Sequence, residues 1–258
     1  MAYITCNFSS EVLGINTSIN VILPQNKTSQ MSKEGPLASN KYKTLYLLHG
    51  LTGDHTDWQR KTSIERYVDS MGLAVVMPDA GRSFYTDMKY GDKYFTYIAE
   101  ELPEIVRQFF PLSEKREDNF VAGLSMGGYG AFKVALSCPE KFAAAASLSG
   151  ALGIAEIVAQ VDDNDKAGFY NIFGDLDLLA GSENDLYHLA KKLLASNGPK
   201  PRLYQCCGIE DFLYENNQNF RNFIAGTNFD YTYNEGPGEH TWDYWDAEIQ
   251  KILKWLPL

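Results

Sequence analysis

The chain has 258 residues, 45% of them hydrophobic and 22% charged, with a formal net charge of −10. This is the make-up of an ordinary globular protein of one large unit, and it excludes a fibrous or low-complexity chain. The acidic surplus argues against nucleic acid or an anionic membrane as partner, and no apolar run reaches the roughly 18 residues that a membrane span needs.

The first residues, Met1-Ala-Tyr-Ile-Thr-Cys6, show no basic stretch followed by a long apolar core, so a cytoplasmic protein is expected. Cys6, Cys138, Cys206 and Cys207 are then expected as free thiols, with Cys206 and Cys207 facing opposite sides of one strand. Tyr3 to Ser9 and Asn16 to Leu23 read as an antiparallel pair around Leu13-Gly14. Residues 25–41 are polar and contain Gly and Pro, and read as an exposed loop. From there on, short apolar runs at 44–48, 73–77, 119–124, 143–148, 202–207 and 230–234 alternate with amphipathic stretches. Those lie at 61–71, 93–109, 128–137, 183–196, 214–225 and 243–255. This alternation predicts an α/β fold, with a mostly parallel central sheet and helices on both faces. Residues 150–200 exceed what one crossover needs. They predict a cap-like insertion, an extra helical piece above the sheet, within a single domain of residues 1–258.

Gly123-Leu124-Ser125-Met126-Gly127 fits G-x-S-x-G, between the apolar run 119–124 and a helical run from Gly128. A strand turning sharply into a helix leaves the serine hydroxyl exposed at the strand's end, and the flanking glycines relieve the crowding. A serine hydroxyl needs an imidazole base, and the imidazole needs an orienting carboxylate. Of the four histidines, His188 lies within a helical pattern. His49 ends a strand and reads as loop-shaping, and His55 sits further along the same loop. His240, in Gly236-Pro-Gly-Glu-His-Thr-Trp242 after the last strand, falls where the base belongs in Ser…Asp…His chain order. Asp211 follows the strand ending at Gly208 and is the expected acid, with Asp175 as its rival. Glu210 reads as a solvated loop charge, Asp185 as a helix start and Asp79 as a turn residue.

An oxyanion needs two donors, for which the backbone N–H of Met126 and one N–H of His49-Gly50-Leu51-Thr52-Gly53 stand in the right places. Leu51 is the choice, with Gly50 the close alternative. Substrate-pocket walls are expected from Gly50, Trp58, Phe84, Tyr85, Tyr129 and Trp242. Phosphate loops, dinucleotide fingerprints and zinc motifs are missing from the sequence, so no cofactor and no metal is expected.

Five segments together resemble the esterase D family of α/β-hydrolases, and within it the tributyrin esterases of lactic bacteria. They are Leu45-Tyr-Leu-Leu-His-Gly-Leu-Thr-Gly53 with Trp58, Glu101-Leu-Pro103 before Phe110-Pro111, Phe120 to Phe132, Cys207-Gly-Ile-Glu-Asp-Phe-Leu-Tyr214 and Gly238-Glu-His-Thr-Trp242. The resemblance spans nearly the whole chain in order. It implies an α/β-hydrolase fold, hydrolysis of short-chain carboxylic esters, Ser125, Asp211 and His240 as triad, a small-molecule ester as partner, and a homo-oligomer. Related S-formylglutathione hydrolases typically carry Cys and His where this chain has Gly53 and Tyr129, which makes that substrate less expected.

Overall fold

The computed structural model describes residues 1–25 and 41–258, and of residues 163–165 the backbone alone. The loop read at 25–41 lies outside these residues except for its two ends. In chain order the strands are β1 (Ala2–Ser10), β2 (Ile15–Leu23), β3 (Lys43–Leu48), β4 (Leu73–Pro78), β5 (Asn119–Leu124), β6 (Ala144–Leu148), β7 (Arg202–Gly208) and β8 (Tyr231–Gly236). The helices are α1 (Asp57–Lys61), α2 (Ile64–Val68), α3 (Tyr94–Thr96), α4 (Leu102–Phe109), α5 (Met126–Ser137), α6 (Ile154–Gln160), α7 (Asp163–Phe173), α8 (Leu186–Leu194), α9 (Tyr214–Ala225) and α10 (Trp242–Trp255).

Among the described residues the strands form one sheet in the order β1-β2-β4-β3-β5-β6-β7-β8. Only β2 runs against its neighbours; β4, β3, β5, β6, β7 and β8 pair in parallel. The edge hairpin alternates strictly along β1, with Ile4, Cys6 and Phe8 turned inward and Tyr3, Thr5 and Asn7 exposed, as a strand covered on one face requires. The central strands β4 and β5 are buried throughout and β3 from Thr44 on, which their apolar runs foretell. Successive residues there serve opposite cores. Tyr46 and Leu48 pack under α4, α5, α8 and α9, whereas Leu45 and Leu47 pack under α1, α2 and α10. Cys206 joins the α10 side, Cys207 is equally buried, and all four cysteines are free. No helix among the described residues is long and apolar enough to cross a membrane.

Two helical stretches differ from the expectation, each for a local reason. The stretch read as helical at 61–71 holds only the last residue of α1 and the whole of α2, with a break between them. The Thr62 hydroxyl donates to the Trp58 carbonyl at 2.6 Å and accepts from the Ile64 N–H at 3.1 Å, so side-chain bonds replace the ladder there. The stretch at 93–109 contains a π-helical turn at Tyr97–Glu101, just before Pro103, which has no N–H to continue the regular ladder. That turn aims Glu101 at the hairpin, where its carboxylate accepts from Glu11 N–H at 2.7 Å, Val12 N–H at 3.1 Å and the Ser10 hydroxyl.

Candidate active site

Ser125 stands between β5 and α5 with φ 54° and ψ −118°, in the left-handed region that a side chain enters only when its surroundings hold it there. Its N–H donates to the Leu148 carbonyl of the neighbouring β6 at 2.9 Å. The two glycines make the tight turn feasible. A Cβ on Gly123 would stand 2.3 Å from the Gly127 carbonyl oxygen, and one on Gly127 would stand 2.6 Å from the carbonyl oxygens of Leu48 and His49.

His240 reaches the same place from the loop after β8. Its Nε2 lies 2.9 Å from Ser125 Oγ, and its Nδ1 lies 2.8 Å from Asp211 Oδ2 and 3.0 Å from Oδ1. Asp211 comes from the loop after β7, and its side chain is wholly buried while that of His240 is 17% exposed. Burial alone would raise the Asp211 carboxyl. The His240 hydrogen bond and charge, the Leu213 N–H at 2.8 Å and the Ser149 hydroxyl outweigh it, and the carboxyl is held below its ordinary value. The structure thus brings Ser125, His240 and Asp211 into one hydrogen-bonded line at the C-terminal ends of the parallel strands β5, β8 and β7. The rival Asp175 is exposed and caps a short turn by accepting from the Asp177 N–H.

The loop after β3 closes over the serine from the other side, where a Cβ on Gly50 would lie 3.7 Å from Ser125 Cβ. Met126 is the first residue of α5, so its N–H has no acceptor within the helix. The loop is pinned by its carbonyls: the Trp58 indole N–H donates to Leu48 O at 2.9 Å and the Tyr85 hydroxyl to His49 O at 2.9 Å. The His49 imidazole accepts from the Ala80 N–H at 2.9 Å, in keeping with a loop-shaping role. Trp58, Tyr85 and Tyr129 were expected as pocket walls, but each is buried with its polar end tied to backbone, Tyr129 through its hydroxyl to Asn184 O at 2.7 Å. Trp242 is half-buried against Trp58 and Trp245.

Some supporting groups escape a reading of the sequence. Ser149, at φ 47° after β6, bonds Asp211 and accepts from the Trp245 indole N–H at 3.1 Å, so it fixes the acid from behind. Its only sequence signal is a Ser-Gly pair at the end of the strand next to β5. Glu210 is exposed, as expected of a loop charge, yet it accepts from the Gly238 N–H at 2.6 Å and so steadies the loop that carries His240. Phe212 is 75% exposed, its ring centred 4.5 Å from the His240 ring.

Comparison with known proteins settles the family. The Esterase family model, described as "putative esterase", matches residues 10–256. The chain is a member of the Esterase family. The acetyl esterase of Caldicellulosiruptor saccharolyticus is 37% identical to it, across 99% of this chain and 98% of that one. Among solved structures, the substrate-bound fluorophosphonate-binding serine hydrolase F (FphF) of Staphylococcus aureus superposes with a TM-score of 0.89 at 40% identity, covering 99% of this chain and 98% of that one. The S-formylglutathione hydrolase (FrmB) of the same organism follows with a TM-score of 0.86 at 40% identity and the same coverage. The esterase accordingly has the α/β-hydrolase fold and is a carboxylic-ester hydrolase of the serine type.

Proposed function

We propose that this esterase hydrolyses small, short-chain acyl esters through an acyl-enzyme on Ser125. The carrying observation is the line Ser125 Oγ, His240, Asp211, with contacts of 2.9 and 2.8 Å. Ser125 Oγ attacks the ester carbonyl as His240 Nε2 takes its proton. Asp211 holds the other ring proton on Nδ1 and stabilises the imidazolium. The N–H groups of Met126 and Leu51 receive the oxyanion, Gly50 being the alternative to Leu51. The tetrahedral intermediate collapses, the alcohol leaves with the proton from His240, and water then repeats the sequence on the acyl group.

The name of the Caldicellulosiruptor relative, an acetyl esterase, supports the short acyl chain. Within the family, the segments around Leu45–Gly53 and Gly238–Trp242 support a place beside the esterase D type tributyrin esterases. We further read the segment 150–200 as a cap, since Val161, Phe169 and Ile172 from it share a cavity with Leu51. A homo-oligomer is the reading that goes with the resemblance. The test is hydrolysis of p-nitrophenyl esters from acetate to decanoate by wild type and Ser125→Ala. A maximum at short chains that vanishes in the variant is expected, and hydrolysis that survives in Ser125→Ala refutes the site.

A thioester substrate is the second reading, favoured by the likeness to an S-formylglutathione hydrolase structure at 40% identity. Against it stand Gly53 and Tyr129 in the places of the Cys and His typical of those enzymes. A kcat/KM more than about tenfold higher on S-formylglutathione than on short aliphatic esters, worth 1.4 kcal/mol of discrimination, would decide for the thioester.

A further inference from the structure

A cavity of about 480 Å³ opens beside Leu51, walled by Phe84, Met88, Phe169 and Ile172 and rimmed by Arg82. Arg82 is the only charged residue among the described ones that line it. Its guanidinium is exposed, and no hydrogen bond or ion pair engages it among the described residues. It sits in the loop after β4, where Gly81, Phe84 and Tyr85 all take positive φ, so the surrounding structure dictates where this loop runs.

The chemistry proposed above assigns this space to one part of the substrate. Around the tetrahedral carbon, one oxygen is Ser125 Oγ and one is the oxyanion on the Leu51 and Met126 N–H groups. The leaving oxygen must face His240 Nε2, which supplies its proton. The acyl chain takes the remaining direction, past Leu51, the one residue of the proposed site that lines the cavity; Ser125, Met126, Asp211 and His240 do not line it. At roughly 30 Å³ for a group the size of a water molecule, a four-carbon chain fills about a quarter of the volume and leaves the far end open. A largely apolar cavity with an uncommitted guanidinium among its lining residues suits a chain that ends in a carboxylate, which the planar fork of arginine matches. The rest of a chain of net charge −10 repels such a group, which makes a lone cation at this spot the more decisive.

We infer that the cavity binds the acyl group and that Arg82 selects acyl groups bearing a terminal carboxylate, that is, half-esters of dicarboxylic acids. This rests on the esterase reading. The experiment compares kcat/KM for p-nitrophenyl hydrogen adipate and p-nitrophenyl hexanoate, two chains of equal length, for wild type, Arg82→Gln and Arg82→Lys. Because the guanidinium is exposed, the adipate-to-hexanoate ratio should fall about fivefold in Arg82→Gln. It should be largely kept in Arg82→Lys, and should shrink in wild type as salt rises to about 0.5 M. Hydrolysis of the hexanoate with the same ratio in wild type and Arg82→Gln overturns the inference alone. A wild type that cleaves neither ester overturns the esterase reading and the inference with it.

Discussion

Replacing Asp211 by asparagine tests how the site holds its imidazole. Both carboxylate oxygens are committed. Oδ1 accepts from the Leu213 N–H at 2.8 Å and lies 3.0 Å from His240 Nδ1, while Oδ2 lies 2.8 Å from the same nitrogen. In Asp211→Asn the Leu213 N–H keeps the amide oxygen at the Oδ1 position, because the flipped amide would set donor against donor. The new NH₂ then occupies the Oδ2 position and faces Nδ1 across the shorter contact. Nδ1 must accept, the ring proton moves to Nε2, and Nε2 donates to Ser125 Oγ where it should have taken a proton. In serine-protease triads the same exchange lowers kcat about 10⁴-fold, or about 5.5 kcal/mol of barrier. A loss of at least about 10³ is expected here, since the Asp211 side chain is fully buried. Folding should suffer far less, by about 1–3 kcal/mol, or a few degrees of Tm for each kcal/mol in a chain of this size. Steady-state kinetics on p-nitrophenyl butyrate, beside a thermal melt, reads both. A kcat loss below about tenfold with the fold intact refutes the argument, because Asp211 would then not govern the tautomer.

Two other perturbations address the scaffold. Burial pushes the Lys133 amine down to about 7, only partly offset by the charges of Asp87 and Glu183, whereas an unfolded lysine titrates near 10.4. Between those values the unfolded chain binds the extra proton, so stability rises with pH across that window. Denaturant melts should show the wild type gaining on Lys133→Met from about pH 7 to 10; a constant difference would mean that the buried amine keeps its proton. Gly127→Ala drives a Cβ against the backbone oxygens of Leu48 and His49, 2.6 Å away, where no side chain is available to yield. It should cost about 1–3 kcal/mol of stability and more than tenfold in kcat, and a variant as stable and active as wild type would contradict the packing of the elbow.

The strands were the most legible part of the chain. The run at 119–124 matches β5 at both ends, and the other central strands lie within two residues of their apolar runs, because a strand buried on both faces writes its length as hydrophobic sequence. Helix edges were harder. α5 begins at Met126, two residues before the reading, because Gly127 looks like a breaker in sequence but serves close packing in space. The proximity of Ser125, Asp211 and His240 could be inferred because each ends a strand of one sheet, and chain order removes most rivals. Ser149 and Glu210 could not, since their partners lie 62 and 28 residues away and nothing local marks the contact. Trp58, Tyr85 and Tyr129 misled for the opposite reason: aromatic residues near the motifs suggest a wall, yet their polar ends find backbone carbonyls inside the core.

The loop from Gly81 to Thr86 has two faces. Arg82 and Phe84 border the cavity, while Tyr85, at positive φ like Phe84 before it, grips the His49 carbonyl at the root of the Gly50-Leu51 turn. On the mechanism and acyl site proposed above, a chain that fills the cavity leans on the same short segment that holds the His49 carbonyl, so that good fit and good orientation of the proposed oxyanion donors become one event. Contacts made far from the scissile bond should consequently register in turnover, as interactions strengthened in the transition state, and only weakly in ground-state affinity.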